Sequence, residues 1–277
     1  MTILQAAILG AVEGLTEFLP VSSTGHLILS AHAMGLVGGV MNDFEIVIQA
    51  GALLAVVWLY RSRVGELLQG AVRAHPTGRS LLLKLTVAFL PAAVVGLILH
   101  RAIKANLFGP FPVALALLVG GVAMVLFERR RRASVRAPSI TNLDSVPLRV
   151  ALLIGFGQIL SLWPGTSRAM VTILAALLLG CTPVVAAEFS FLLALPTLGA
   201  ATLFDLVRSR ESLLSGSEIG LGAFLTGLAV AAIVAAIAIR SFLRYLTRHG
   251  LEPFGWYRIA LGIALLVLLR HHVWGLP

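Results

Sequence analysis

Charge is scarce in this chain. Asp, Glu, Lys and Arg make up 12% of the 277 residues, and twelve residues in all are acidic. So little polar surface cannot cover a soluble domain of this size, which excludes the ordinary globular class. Cysteine is nearly absent: Cys181 stands alone, so no internal disulfide forms, and in "LLLGCTP" it reads as a small packing residue. No cysteine or histidine cluster has metal-ligand spacing, and the adjacent His271 and His272 near the C-terminus read as interfacial anchors. The alternating pattern of an outer-membrane barrel is missing. The first apolar stretch has no basic flank and carries Glu13 and Glu17, so it does not read as a cleaved signal peptide.

Apolar residues fill the space, at 58% of the chain with a mean hydropathy of +0.98. Several runs approach the roughly 20 residues that a helix needs to cross a bilayer. The expected class is an all-α polytopic membrane protein, one integral membrane domain over residues 1–277. About six transmembrane helices are expected, over Phe44–Tyr60, Leu81–Leu99, Val113–Phe127, Glu188–Leu206, Leu221–Ile239 and Trp256–Leu269.

A net charge of +9 would suggest nucleic acid as a partner in a soluble protein. Here fifteen of the 21 basic residues fall in three segments, Arg61–Lys84, Arg129–Arg149 and Arg240–Arg258. That clustering is the positive-inside signal of cytoplasmic loops, and no nucleic-acid partner is expected. Assigning the three segments to the cytoplasm places Arg208, Arg210 and both termini outside.

Two further apolar regions, residues 2–36 and 148–180, are interrupted by "LPVSSTGH" and "WPGTSRAM". Each reads as two half-helices around a proline break, and the charge assignment closes only if neither crosses the membrane. The first is then re-entrant from outside and the second from inside. Placing Pro20 on Pro164 puts Ser23 on Ser167 and Thr24 on Arg168 without a gap. About 25 residues later each half resumes with an acidic-aromatic pair, "DFEIVIQAG" and "AEFSFLLAL". This predicts two re-entrant helix pairs in an inverted-topology repeat, residues 1–127 and 148–270, joined by a basic cytoplasmic linker over 128–147.

Irregular backbone at membrane depth is tolerated where protein buries it or where it lines a wet cavity. Glu13 and Glu17 are four apart and share one helix face, where like charges repel. A cation, a proton or a distant arginine must settle them. Mg2+ prefers one or two carboxylates plus phosphate oxygens and suits the pair. Past Pro20, Ser22, Ser23 and Thr24 open a second half-helix, whose free N–H groups make an anion site. Thr166 and Ser167 repeat the arrangement, and Arg168 is the one base in either break. Its planar fork suits two phosphate oxygens or one of the glutamates. His26 lies in the first turn of its helix, where the macrodipole disfavours the protonated form and leaves a neutral base or nucleophile. Together these groups suggest phosphoryl transfer to water on a lipid substrate. An anion transporter would use the same half-helix ends.

At "EGLTEFLPVSSTGHL" from Glu13, "FEIVIQAGALLAVV" from Phe44, "WPGTSR" from Trp163 and "AAEFSFLLALP" from Ala186, the chain resembles the undecaprenyl-diphosphate phosphatases of the bacitracin-resistance (BacA/UppP) family. The resemblance implies an integral enzyme of the bacterial inner membrane. It would hydrolyse undecaprenyl diphosphate to the monophosphate, the carrier for peptidoglycan and other envelope polymers, with a divalent metal, Mg2+ or Ca2+. By the same resemblance Glu13 and Glu17 hold metal, with Glu17 also in acid-base work, and Ser22, Ser23, Thr24 and His26 surround the pyrophosphate. Ser167 and Arg168 grip its oxygens, and Gln49 is a further polar contact. Ser23 is the expected attacking group, with His26 and a metal-activated water as alternatives. A polyprenyl phosphate flippase remains a second reading, alone or combined with hydrolysis, and a homodimer is left open. The family's second motif continues as Ser-Gly after the arginine, whereas this chain has Ala169 and Met170. That exchange is expected to remove a phosphate donor and close a place of tight backbone approach.

Overall fold

Proline and glycine punctuate the chain where the helices begin and break. The computed structural model describes residues 1–36, 39–73, 75–133, 137–208 and 219–270; Arg210, His271 and His272 lie outside them. Its elements are α1 (Ile3–Thr16), α2 (Ser23–Ala33), α3 (Gly39–Leu59), α4 (Arg61–Arg73), α5 (Pro76–Asn106) and α6 (Pro110–Ala133) in the first half. The second half has α7 (Leu148–Gln158), α8 (Arg168–Leu178), α9 (Pro183–Arg208), α10 (Leu221–Leu246) and α11 (Glu252–Arg270). Proline opens α5, α6 and α9, where its missing N–H costs no hydrogen bond.

Among the described residues, five helices are long and apolar enough to cross a membrane: α5, α6, α9, α10 and α11. A sixth span comes from α3, which meets the amphipathic α4 at 87° across a one-residue break. The protein is a multi-pass membrane protein. By contrast α1 and α2, and likewise α7 and α8, have 11 to 14 residues each, too few to span about 30 Å of hydrocarbon.

Apart from α4, which has no counterpart among the described residues of the second half, the order of elements is the same in the two halves, and the packing is reciprocal. Helix α1 lies along α10, α7 lies along α5, and α6 pairs with α11. Small residues allow these approaches: a Cβ added at Gly10 or Gly14 of α1 would stand 2.5 Å from the carbonyl oxygen of Gly227 or Ala231 on α10. In the other half Gly155 of α7 meets the Ala88 carbonyl of α5 in the same way.

The three basic segments converge on one end of the bundle. Arg240 lies 4.8 Å over the Trp58 ring, Arg63 pairs with Asp144 at 2.9 Å, and Arg129 pairs with Glu252 at 3.1 Å. Met1 packs near Ile219 and Phe224 at the start of α10, and Leu265 of α11 packs with Val113 at the start of α6. The N-terminus and the end of α11 therefore lie away from the basic end. One basic residue does not belong with the loop charges among which the sequence groups it: Arg258 is fully buried within α11.

Candidate functional site

Helix α1 ends at Glu17, and the chain turns through Pro20 before α2 starts at Ser23. The second break runs from the 3-10 turn Ile159–Leu162 through Pro164 and Gly165 to α8. Both breaks close on the same device, a serine at the N-cap with positive φ: 75° at Ser22 and 70° at Ser167. Such backbone costs on the order of 1–3 kcal/mol per residue outside glycine, and it concentrates at functional sites. Ser167 caps α8, accepting from Met170 N at 3.3 Å. Ser22 caps nothing with its side chain, and its carbonyl faces His26 instead.

The two breaks meet at one carboxylate. Glu17 Oε2 accepts from Ser23 Oγ at 2.7 Å, and its Oε1 accepts from Arg168 Nη2 at 2.9 Å, across 151 residues of sequence. Arg168 also donates through Nη1 to the Ser190 carbonyl of α9 at 2.9 Å, and its guanidinium lies 5.5 Å over the Phe18 ring. Ser190 Oγ in turn shares a 2.6 Å hydrogen bond with Thr172 Oγ1 of α8. Arg168 is thus fixed on three sides, by α1, α8 and α9. The repulsion within the glutamate pair is settled at Glu17 by this distant arginine. Glu13 is left with Oε2 buried and unpartnered among the described residues, at 1% exposure.

His26 takes a defined tautomer. A carbonyl only accepts, so Nδ1–H donates to the Ser22 oxygen at 2.7 Å. Nε2 is then the lone-pair nitrogen and accepts from the Tyr257 hydroxyl at 2.6 Å. Next to Tyr257, Arg258 enters the core with no ion pair among the described residues. Its Nη2 donates to the Gly165 and Ala116 carbonyls at 3.0 and 3.1 Å, and its Nη1 reaches the Pro20 carbonyl at 3.4 Å. One guanidinium therefore holds the backbone of both breaks. Gly120 makes its room, since a Cβ there would run into Arg258 Nη2.

A family profile described as bacitracin resistance protein BacA matches residues 6–264, which includes both breaks and the site residues Glu13, Glu17, Ser23, His26, Arg168 and Arg258. The chain belongs to the BacA family. It is 55% identical over 266 residues to an undecaprenyl-diphosphatase of Sorangium cellulosum, covering 95% of this chain and 85% of that protein. It is 46% identical over 264 residues to undecaprenyl-diphosphatase 1 of Chromobacterium violaceum, covering 95% and 94%. With an undecaprenyl-diphosphatase of Thermoanaerobacter sp. the identity is 42% over 273 residues, 98% of each.

Within this BacA chain the structure joins Glu17 and Ser23 of the first break to Arg168 of the second, with Glu13 close enough to interact with Glu17 and Arg168; His26 is held by the Ser22 carbonyl and Tyr257, and Ser167 caps α8. Thr24 and Thr166 flank them without a side-chain hydrogen bond among the described residues. Gln49 sits apart on α3, where its Oε1 accepts from Thr202 of α9 at 3.2 Å. One turn back along α3, Glu45 lies near enough for its carboxylate to repel those of Glu13 and Glu17. Ala169 and Met170 point into the apolar core, at 0% and 3% exposure, and not toward Glu17. The exchange at these positions therefore bears on core packing, with the Met170 methyl filling space beside Gly120.

As for a cation, Glu13 Oε2 is a buried carboxylate oxygen without a donor, which suits a ligand to a divalent ion. Both oxygens of Glu17 are already engaged, and among the described residues no three His, Cys, Asp or Glu side chains form a closed cage. A donor set of this size fits an ion that completes its shell with phosphate oxygens and water.

Proposed function

We propose that this protein hydrolyses undecaprenyl diphosphate to undecaprenyl phosphate and inorganic phosphate within the membrane. The observation that carries this reading is the Glu17 carboxylate, which holds a hydroxyl from one break and a guanidinium from the other at hydrogen-bond distance. The names of the relatives support the substrate.

In this reading Arg168 anchors the terminal phosphate and stabilises charge that develops on it. Ser23 Oγ attacks the terminal phosphorus, its proton passes to Glu17 Oε2, and the prenyl monophosphate leaves. Water then attacks the phosphorus on Ser23, its proton passing to the neutral Nε2 of His26 as Tyr257 yields its place on that nitrogen; Glu17 returns its proton to the departing Ser23 Oγ, and His26 gives up its own to the released phosphate or to solvent. Ser22, Thr24, Thr166 and Ser167 line the mouth of the two breaks as donors to the remaining oxygens. Glu13, with Glu17 beside it, would hold a divalent ion, Mg2+ or Ca2+, which when bound neutralises the diphosphate. Exposed apolar faces of α5, α6, α10 and α11 leave the prenyl tail in contact with lipid throughout.

We place the basic end in the cytoplasm by the positive-inside rule, and with it both termini outside, in a bacterial inner membrane. The two halves, 1–127 and 148–270, are read as inverted repeats; the reciprocal packing of α1 on α10 and α7 on α5 supports this.

The metal assignment is tested on the purified full chain by phosphate release against Mg2+ and Ca2+ concentration. Chelation abolishes turnover, and Glu13→Gln raises the metal concentration for half-activity roughly tenfold or more, the loss of one charged ligand. Activity that survives excess chelator, or a Glu13→Gln curve that overlays the wild type, contradicts the assignment.

A further inference from the structure

An open polar cleft lies at the basic end of the bundle, between the end of α6, the end of α10 and the start of α11. Its volume is about 530 Å3, and none of Glu17, Ser23, His26 or Arg168 lines it. Arg131, Arg132 and Arg248 contribute to its wall against one carboxylate, Glu128. That carboxylate is fully buried and already engaged. Its Oε1 accepts from Arg131 Nη2 at 2.7 Å and its Oε2 from Arg131 Nε at 3.1 Å, while Arg132 Nε lies 3.5 Å from Oε1. Gly250 lets the chain close over it, because a Cβ there would strike the Glu128 carboxylate.

Each arginine is therefore in a different state. Arg131 is committed to Glu128 by a two-pronged pair. Arg132 is shared between Glu128 and Glu252, the latter at 3.3 Å through Nη1. Arg248 makes no ion pair among the described residues. His249 is stacked on Tyr245, with ring centroids 4.5 Å apart, and its Nδ1 faces the Tyr245 carbonyl at 3.3 Å. The wall thus carries three positive charges to one negative before His249 is counted, and buried contacts hold it in shape. A merely solvated charge run has no such floor.

The surroundings place the cleft at the level of the membrane interface. Trp256 on α11 is half exposed beneath Arg129, whose guanidinium lies 5.7 Å from its ring, and Leu126 on α6 is exposed one turn below Arg129. An arginine over an interfacial tryptophan marks headgroup depth, with the apolar flanks of α6 and α11 below it. Basic pockets between transmembrane helices at such a level suit phosphate headgroups.

We propose that this cleft binds the phosphate headgroup of an anionic membrane lipid, with Arg248 and Arg132 as donors to its oxygens and the α6–α11 flank under its acyl chains. The site is separate from the hydrolytic one and needs no turnover to be occupied.

Native mass spectrometry of the full chain released from detergent tests this, with phosphatidylglycerol and phosphatidylcholine of matched chains as probes and inorganic phosphate as competitor. Phosphatidylglycerol is retained in preference to phosphatidylcholine, and millimolar inorganic phosphate does not displace it. Arg248→Glu, which leaves the Glu128 pairs intact, lowers that retention roughly tenfold or more, the effect of reversing one charge at a membrane surface. Its thermal unfolding matches that of the wild type, and Arg248→Gln falls between the two. Equal retention of the two lipids overturns the proposal, and so does retention unchanged in Arg248→Glu. Displacement by inorganic phosphate alone also overturns it, by assigning the cleft to a soluble anion.

Discussion

Replacing Arg168 by Ala lowers phosphate release from a prenyl diphosphate by about a thousandfold or more. Two losses combine. The terminal phosphate loses a cationic donor in a water-poor site, where removal of one preorganised donor costs on the order of 10²–10³ in rate. The Glu17 carboxylate, 8% exposed, is also left with Ser23 as its one donor, and breaking a buried pair on one side costs about 3–5 kcal/mol. Arg168→Lys restores charge but not shape: an ammonium cannot reach both Glu17 and the Ser190 carbonyl, so it recovers a minor part of the rate. The informative comparison is the double variant Glu17→Gln with Arg168→Ala. If the two groups act as one unit, the double variant is no slower than the worse single variant. Simple multiplication of the two losses contradicts the coupling.

The second large effect is expected at Arg258. Arg258→Met keeps most of the volume and removes the donors, leaving the Pro20, Ala116 and Gly165 carbonyls to find other partners. Each unsatisfied buried group costs about 1–3 kcal/mol, so the variant unfolds at markedly lower temperature. The sharper readout is catalytic. Arg258 reaches both breaks through their backbone and touches none of Glu17, Ser23 or Arg168, so its loss misaligns two otherwise intact half-sites. Turnover falls by about a hundredfold while the affinity for substrate changes little, since mispositioning at the 1 Å scale costs that much. Unchanged turnover in folded Arg258→Met shows that the bridge is structural packing alone.

Arg258 also marks the boundary of what the sequence makes legible. The helices, their breaks and the basic end follow from local signals: apolar runs of spanning length, Pro20 and Pro164, and clustered arginines. Both broken pairs lie where the prolines put them, and Glu17, Ser23 and Arg168 meet as the half-site reading requires. Helix ends are less legible. Leu81–Leu99 is the apolar part of a helix running from Pro76 to Asn106, because polar residues continue a helix into the interface without adding hydropathy.

The missed residues share a physical reason. Ser190 acts on Arg168 through a backbone carbonyl, which every residue carries and no motif records. Tyr257 meets His26 across 231 residues, a contact set by α6, on which both α2 and the last helix pack. Glu45 stands in sequence just after the acidic-aromatic pair Asp43-Phe44 that marks the repeat, while its place beside Glu13 depends on how α3 packs on α1. Arg258 did have a signal. It stands inside the apolar run "WYRIALGIALLVLL", and an ionisable residue within a span is functional by default, the same rule that singles out Glu13. Counting it with the neighbouring loop arginines hides it.

The most direct test of the central claim is inorganic phosphate release from undecaprenyl diphosphate by the purified full chain in detergent with Mg2+, followed beside the lipid product. The account predicts one phosphate and one undecaprenyl monophosphate for each diphosphate consumed, and loss of both in Glu17→Gln. A folded, metal-supplied protein that releases no phosphate, or a Glu17→Gln variant that releases it at the wild-type rate, contradicts it.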